Sequence, residues 1–296
     1  MTDVHEATRA RRGADPRLRK DLVGALPDAA AALVITALLY MWLYRLAQDG
    51  QSNTVLVMPF MDNPDAHRWY WLSQAFGWAA LLWAWGTLIL GLSISGRMPR
   101  WLARRRAGVE RLHRRTSLTV IALTFAHGFV LVFDAHGNSL AELFIPGVFA
   151  HEPGKIPVAL GIVAFYLMFP LALTFYVRNR IGRKAWRILH LFVIIVYILG
   201  VWHTFLWGTN VWFQGGARTA LWAVQLPLAA LALYRLLAPA RRSESARRPL
   251  MVTLRLLVAA LIIALTAVVA AGGGGHDRPE PAVAHQSTPA HHGPTR

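Results

Sequence analysis

Seven long apolar runs dominate the sequence, and each is long enough to cross a membrane as a helix. A spanning helix needs about 20 mostly apolar residues, and only helices and closed barrels satisfy their backbone hydrogen bonds in lipid. Runs of this length are too long for barrel strands. The predicted spans cover residues 27–47, 70–95, 112–134, 156–177, 187–208, 218–238 and 250–271. We therefore predict an all-α polytopic membrane protein with seven transmembrane helices.

Charged residues lie between the runs, and their sign alternates from one connection to the next. Only 16% of the residues are charged, whereas a soluble domain usually carries about a quarter. Lys and Arg gather in the N-terminal arm and in the second, fourth and sixth connections, and the intervening loops carry acids instead: Asp49, Asp62, Asp65, Glu142 and Glu152. The positive-inside rule then predicts a cell-membrane protein with a cytoplasmic N-terminus and an extracytoplasmic C-terminus. The net charge of +16 is explained by these loops beside membrane lipid, and nucleic acid is not an expected partner.

The spans divide the chain into four parts. We predict a basic cytoplasmic arm (1–26), a six-helix core (27–239), a seventh transmembrane helix (250–271) and a disordered external tail (272–296). The tail has no apolar periodicity, so a flexible segment is the simplest interpretation. Four tail histidines could instead bind a metal ion: His276, His285, His291 and His292. The chain has no cysteine, which excludes Cys-ligated iron–sulfur clusters and c-type haem attachment.

Four of the twelve histidines lie inside predicted spans, where an ionisable residue is costly and marks a functional site by default. His113 and His127 lie on the third span, and His190 and His203 lie on the fifth. Both spans run in the same direction, and the spacings correspond to about 21 Å and about 20 Å of helix rise. The histidines therefore form two pairs at matched depths, His113 with His190 and His127 with His203. The alternative is that buried histidines serve as hydrogen-bonded contacts between helices.

Each pair can place one imidazole on either side of a haem iron. Such ligation fills both axial positions, which suits electron transfer rather than oxygen binding. The sequence thus predicts a six-helix bundle that holds two haem b groups, with the four histidines as iron ligands. On an ideal helix, however, His203 lies about 140° around the axis from His190. Either the fifth span bends or twists, with Gly200 as its weak point, or the second haem lies off the axis of the first. This mismatch leaves open a single-haem protein in which His203 is only a structural donor.

The two histidine spacings, and the stretch GRKAWRILH with Trp186 and Leu189 before His190, resemble the ferric reductase-like transmembrane domain. This family includes ferric reductases, NADPH oxidases and the haem subunit of a periplasmic methionine-sulfoxide reductase. Its members carry one histidine pair fourteen residues apart and another pair thirteen apart. The resemblance covers the first six spans. It implies an oxidoreductase component in which the thirteen-residue spacing is compatible with haem ligation.

The resemblance also implies where electrons come from. Many members continue into a cytoplasmic domain that binds FAD and NAD(P)H, and we expect no such site in this chain. The stretch AGGGGH has no preceding strand and is predicted to face outside, so it is not a dinucleotide-binding loop. The implied donor is a separate cytoplasmic flavoprotein or membrane quinol. The acceptor is a ferric chelate, oxygen or an extracytoplasmic redox protein, and no side chain is assigned a catalytic role.

Arginines close to the histidine pairs are candidate partners for anionic haem propionates. They are Arg114, Arg115 and Arg187 near His113 and His190, and Arg68 and Arg218 near the other end. The first three also fit the positive-inside pattern on its own. Tyr197 either bridges the two haems or serves in packing. His136 and His151, in the loop after the third span, either contact an acceptor or metal ion or are solvated.

Two other classes of membrane protein compete with a cytochrome b. A retinal-binding protein requires a Schiff-base lysine within a span, but Lys20, Lys155 and Lys184 all lie outside the predicted spans. A haem-free proton-coupled transporter could use membrane histidines as relays, but its typical broken helices and repeats are not evident in the sequence. A two-haem transmembrane cytochrome b is the leading prediction. A single-haem, quinol-linked membrane subunit of a periplasmic reductase and the transporter are the alternatives.

Overall fold

The computed structural model describes residues 16–94 and 104–237, scattered positions between 252 and 267, and residues 275–279. Over these residues the protein is helical, apart from short connections and one isolated β-bridge. In chain order the helices are α1 (Pro16–Gln48), α2 (Asn53–Val57), α3 (Arg68–Ile94), α4 (Arg106–Phe129), α5 (Leu140–Phe144), α6 (Lys155–Ile181), α7 (Arg183–Leu191), α8 (Val193–Trp207) and α9 (Gly216–Leu237).

Six spans in the described part of the chain are long and apolar enough to cross a membrane, with α7 and α8 together forming one of them. These six confirm the first six predicted spans and the all-α polytopic fold. The predicted seventh span, 250–271, is described only at scattered positions, so a continuous helix there lies outside the described residues. Among those positions, Ala259 is buried and belongs to a small cluster with Ile194.

Helix α1 begins at Pro16, eleven residues before the predicted start of the first span. Proline suits the first position of a helix because it has no N–H that would need a partner. Part of the predicted arm is therefore helical. The buried positions of α1 recur with helical spacing, and they include polar residues as well as small apolar ones: Asp21, Ala25, Ala32, Thr36, Leu43 and Ala47. Leucine, valine and methionine occupy its exposed positions, as expected where the surrounding solvent is lipid.

The bundle is built from two antiparallel helix pairs. Helix α3 packs along α4, and α1 covers both of them. Helix α6 packs along α8 in the same way. Because α4 and α8 are joined through α6, they run in the same direction and face each other across the space between the two pairs. This arrangement brings the third and fifth predicted spans together.

The fifth span is interrupted at Phe192, directly after α7, where the Phe192 N–H donates to Leu189 O at 3.1 Å as in a tighter 3₁₀ turn. A break between His190 and His203 was predicted from their rotational mismatch. Its predicted place was wrong, because α8 is continuous through Gly200. The break lies eight residues before Gly200 and two residues after His190, so the two histidines do not share one regular helix.

A short piece of the predicted tail is ordered against the loop after α8. Phe213 and His276 form a parallel bridge, in which the Gln214 N–H donates to His276 O at 2.9 Å and the His276 N–H donates to Trp212 O at 3.0 Å. The rings of Trp212 and His276 stack at 4.5 Å. The predicted disorder therefore does not extend to residues 275–279. The other three tail histidines, at 285, 291 and 292, lie outside the described residues.

Candidate redox cofactor site

The structure brings the four membrane histidines together in the two predicted pairs. The first pair joins His113 of α4 to His190 of α7, with ring centroids 5.9 Å apart. The second pair joins His127 of α4 to His203 of α8, with centroids 6.2 Å apart. Two imidazoles that ligate one metal ion from opposite sides, with metal–nitrogen bonds of about 2 Å, have centroids roughly 6 Å apart. Both separations fit this arrangement.

Three of the four rings are oriented by backbone carbonyls on neighbouring helices. The Nδ1–H groups of His113, His127 and His203 donate to Thr87 O at 2.9 Å, Ser73 O at 2.8 Å and Pro157 O at 2.9 Å. A carbonyl can only accept a hydrogen bond, so the proton of each neutral ring lies on Nδ1. Nε2 is then left with its lone pair free for a metal. A histidine that binds a metal is usually oriented by such a bond from its other nitrogen.

His190 differs from the other three histidines. Its Nδ1 is buried and forms no well-aligned hydrogen bond with the residues that the structure describes, although the backbone of Leu171 lies close enough to interact with it. The ring instead stacks on Trp186, one turn earlier in α7, at 5.6 Å. The first pair is therefore held by one oriented ring and one stacked ring.

Glycines let the neighbouring helices approach three of the rings. A β-carbon at Gly91 would lie 2.9 Å from His113, and one at Gly77 would lie 3.0 Å from His127. On α6, a β-carbon at Gly161 would lie 2.9 Å from His203. Real side chains essentially never approach this closely, so each glycine leaves the space that its ring occupies.

The carbonyls and glycines form a repeated pattern that sequence reasoning missed. On α3, the accepting residue precedes the glycine by four positions, as Ser73 and Gly77 for the second pair and as Thr87 and Gly91 for the first. The two units are fourteen residues apart, the same interval that separates His113 from His127 on the antiparallel helix α4. The fourteen-residue interval on α3 is present in the sequence, but it cannot be recognised as a pattern until the histidines that contact it are known.

Helix α6 repeats the same pattern against the fifth span, with one departure. Pro157 and Gly161 serve His203, and Leu171 lies fourteen residues after Pro157, beside His190. The residue four positions after Leu171 is Phe175 instead of glycine. This departure coincides with the one ring that lacks a well-aligned carbonyl partner.

One cavity of about 2070 Å³ runs along the bundle, and all four histidines line it. Its volume is about twice the upper end of the usual range for a single small-molecule site, about 300–1,000 Å³. In the described part of the chain, no cluster of three or more His, Asp or Glu side chains could bind a metal ion alone. Each pair offers two nitrogen ligands, and a cofactor that brings its own ring of ligands would complete the coordination of a metal held there. A haem meets this requirement.

The structure brings two of the five predicted propionate partners to the cavity, and neither Arg68 nor Arg115 is among its lining residues. Arg114 and Arg187 line it, and Arg187 is exposed. Arg114 also pairs with Asp21 at 2.7 Å. Arg218 does not line the cavity: it is only 6% exposed and donates to Val211 O at 2.7 Å and Phe205 O at 3.2 Å. Its position gives no support to the predicted contact with a propionate.

Three further candidate residues also lie along the cavity. Tyr197 is buried on its wall and donates a hydrogen bond to Gln225 Oε1 at 2.8 Å, a position compatible with either of its predicted roles. His136 and His151 are exposed and stack on each other at 5.8 Å, with Phe60 stacked on His136 at 5.1 Å. Their contact with an acceptor stays a prediction.

Histidine pairs that line one cavity from two parallel transmembrane helices are typical of membrane proteins that hold a redox cofactor within a helical bundle. Residues 76–201 match the family described as "Ferric reductase like transmembrane component". This segment is therefore similar to a ferric reductase-like transmembrane component, as the histidine spacings had indicated. The matched segment includes His113, His127 and His190 and ends two residues before His203. Neither the curated proteins nor the solved structures compared with the chain gave a match.

This family is associated with redox cofactors, and its presence in a helical multi-pass membrane protein is consistent with transmembrane electron transfer and an oxidoreductase role. Sequence reasoning identified the histidines and their pairing. It did not identify Asp21, because the predicted first span began six residues after it. It also did not identify the glycines, because glycine is common in membrane helices for other reasons.

Proposed function

We propose that this chain is a transmembrane electron-transfer cytochrome b that carries two haem groups. The observation that supports this proposal best is the pair of facing imidazoles at each end of one cavity. His113 and His190 would hold one haem, and His127 and His203 would hold the other. Bound haem would supply a one-electron iron couple at each pair.

The spacing of the pairs suits electron transfer across a bilayer. His113 and His127 are separated by about 21 Å of helix rise, whereas the hydrocarbon core of a membrane is about 30 Å thick. Each pair would therefore lie in one leaflet. The residues at each pair orient and enclose the ligating nitrogens, since the carbonyls fix three of the rings and the glycines let them pack closely. Because both axial positions would be filled by histidine, neither pair is built to bind oxygen directly.

The distribution of charge indicates which end of the bundle would receive electrons from the donor and which end would pass them to the acceptor. Exposed basic residues surround the end of the bundle that carries the first pair: Arg104, Arg105, Arg106, Arg111, Arg183 and Lys184. This end would face the cytoplasm, where a separate flavoprotein or membrane quinol would deliver electrons. The second pair would face outward and serve an extracytoplasmic acceptor, either a ferric chelate, oxygen or a redox protein.

The test is an absorption spectrum of the purified protein with a measured haem-to-protein ratio. We expect a b-type spectrum and two haems per chain. Replacing either member of one pair by alanine should remove one haem, so His113→Ala and His190→Ala should give the same single-haem spectrum. Protein that contains no haem after expression with adequate haem supply would contradict the proposal.

A single-haem protein is the second candidate, and one observation favours it. His190 lacks both the well-aligned carbonyl bond and the facing glycine that the other histidines have. If one haem binds, the second pair would hold it, and His203 would be a ligand. In that case His113→Ala would leave the spectrum and the ratio unchanged, whereas His203→Ala would abolish both.

A further inference from the structure

Helix α1 carries two carboxylates at its interface with α3 and α4, although it lies outside the segment that matches the family. Asp21 and Asp28 are seven residues apart, or about two turns, and so lie on one face of the helix. Asp28 accepts hydrogen bonds from Thr119 Oγ1 at 2.6 Å and from Trp83 Nε1 at 3.1 Å. Asp21 pairs instead with an arginine. Acidic residues within spans are rare, and they usually face a partner inside the bundle.

Asp21 receives three hydrogen-bond donors. Arg114 Nε donates to its Oδ2 at 2.7 Å, and Arg114 Nη2 donates to its Oδ1 at 3.2 Å, which makes the ion pair bidentate. The Tyr176 hydroxyl donates to Oδ2 at 3.1 Å. The exposed fractions of the side chains are 5% for Asp21 and 21% for Arg114. Water and salt therefore screen this pair far less than an exposed pair.

The arginine of this ion pair belongs to the first histidine pair. Arg114 directly follows His113, and both residues line the cavity. Its guanidinium also lies over the ring of Phe175, 5.0 Å from the centroid, and Phe175 occupies the position where the other sites have glycine. Arg114 is thus a charged group that defined contacts hold beside the first pair, and Asp21 is its counter-ion.

We propose that Asp21 is a positioning residue for the first histidine pair. It holds the Arg114 guanidinium at the cavity wall and compensates its charge. Reduction adds one negative charge to a bound cofactor, and an uncompensated cation nearby would favour the reduced form. Asp21 therefore keeps the midpoint potential at the first pair lower than Arg114 alone would set it. This inference rests on the proposed function, because it concerns a redox group bound at His113 and His190.

The test is an optical redox titration of the purified, haem-containing protein and three variants. Asp21→Asn should raise one of the two midpoint potentials by about 59 mV for a one-electron couple. This shift corresponds to a change on the order of tenfold in the reduced-to-oxidised ratio. Arg114→Gln leaves the carboxylate uncompensated and should lower the same potential. The double variant removes both charges and should return it close to the wild-type value. The other potential should not move, because the second pair lies about 21 Å farther along α4.

The exposed ion pair at the same end of α4 provides a matched control. Arg106 and Glu110 pair at 2.9 Å with side chains 58% and 41% exposed, so solvent screens them. Glu110→Gln also removes one carboxylate, but it should leave both potentials unchanged. If Asp21→Asn fails to accumulate, Arg114→Gln and the double variant still give the predicted difference between them.

The outcomes separate this inference from the proposed function. Wild-type protein without haem contradicts the function itself. Haem-containing Asp21→Asn and Arg114→Gln proteins with wild-type potentials contradict only the inference. A double variant that stays shifted also contradicts it, because a merely structural loss would not be reversed by removing the second partner.

Discussion

Gly91 of α3 lies so close to His113 of α4 that a β-carbon at position 91 would lie 2.9 Å from Cε1 of the ring. Gly77 has the same relation to His127, fourteen residues away on both helices. The absence of a side chain at these glycines is therefore part of what determines where the rings lie. Close packing at a glycine is a requirement that can be tested separately from ligation itself.

Gly91→Val is expected to displace the His113 ring and to remove the haem of the first pair. Inserting side-chain atoms into a packed contact costs about 1–3 kcal/mol, and the displaced ring could no longer face His190. The haem-to-protein ratio should fall from two to one, with the spectrum of the second site retained.

Gly86→Val is the matched control, because Gly86 lies on the same helix and a β-carbon there would have no atom of another described helix within 4 Å. This variant should keep both haems. Equal haem loss in the two variants would show that valine weakens α3 generally and that the contact with His113 is not the cause.

The positions of the spans and of the histidines could be predicted because both depend on short stretches of sequence. Hydrophobic length identifies a span, and a spacing of fourteen residues places His113 and His127 on one face of a helix. Their partners could not be predicted in this way. A backbone carbonyl such as Thr87 O has no sequence signature, and Gly91 acquires its meaning only when His113 is placed against it.

Two further differences between the sequence-based prediction and the structure have physical causes. The break in the fifth span occurs at Phe192, where neither glycine nor proline marks it, so the flexible residue Gly200 was a misleading signal. The first span was predicted too short, because the basic residues before it were read as an arm. That error hid Asp21, whose charge is compensated by Arg114 opposite it on α4.

Arg218→Met is expected to lower the thermal stability of the protein in detergent without changing either haem. Arg218 is buried and donates to the carbonyls of Val211 and Phe205, and buried carbonyls left unpaired cost about 1–3 kcal/mol each. Arg187→Met provides the contrast, since Arg187 is exposed at the cavity and should affect the haem potential more than the melting temperature. A shift in potential for Arg218→Met with no loss of stability would instead support its predicted contact with a propionate.

Gln74→Leu is expected to lower the melting temperature by breaking a polar network near the second pair. Its Nε2 donates to Thr54 Oγ1 at 3.1 Å and to Thr209 Oγ1 at 2.8 Å, and its Oε1 accepts from Asn210 Nδ2 at 2.8 Å. Leucine would remove all three bonds and leave Asn210 Nδ2 without this acceptor, at a cost of about 1–3 kcal/mol, whereas the hydroxyls of Thr54 and Thr209 would keep the 2.7 Å bond between them. Gln51→Leu, at an exposed site before α2, should have little effect. Equal melting temperatures for the two variants would contradict a stabilising role for the network.

The orientation of the chain can be tested with single cysteines, because the protein has no cysteine of its own. Phe213 and His276 form a bridge, so the described part of the tail lies on the same face of the membrane as the loop after α8. The positive-inside rule places this face outside and the basic end of α7 inside. In intact cells, a membrane-impermeant maleimide should therefore label Gln51→Cys and Asp277→Cys, whereas Lys184→Cys should react only after permeabilisation. All three positions are exposed, so access to the reagent depends on the side of the membrane. Labelling of Asp277→Cys together with Lys184→Cys, and not with Gln51→Cys, would show that the bridge does not form in the membrane.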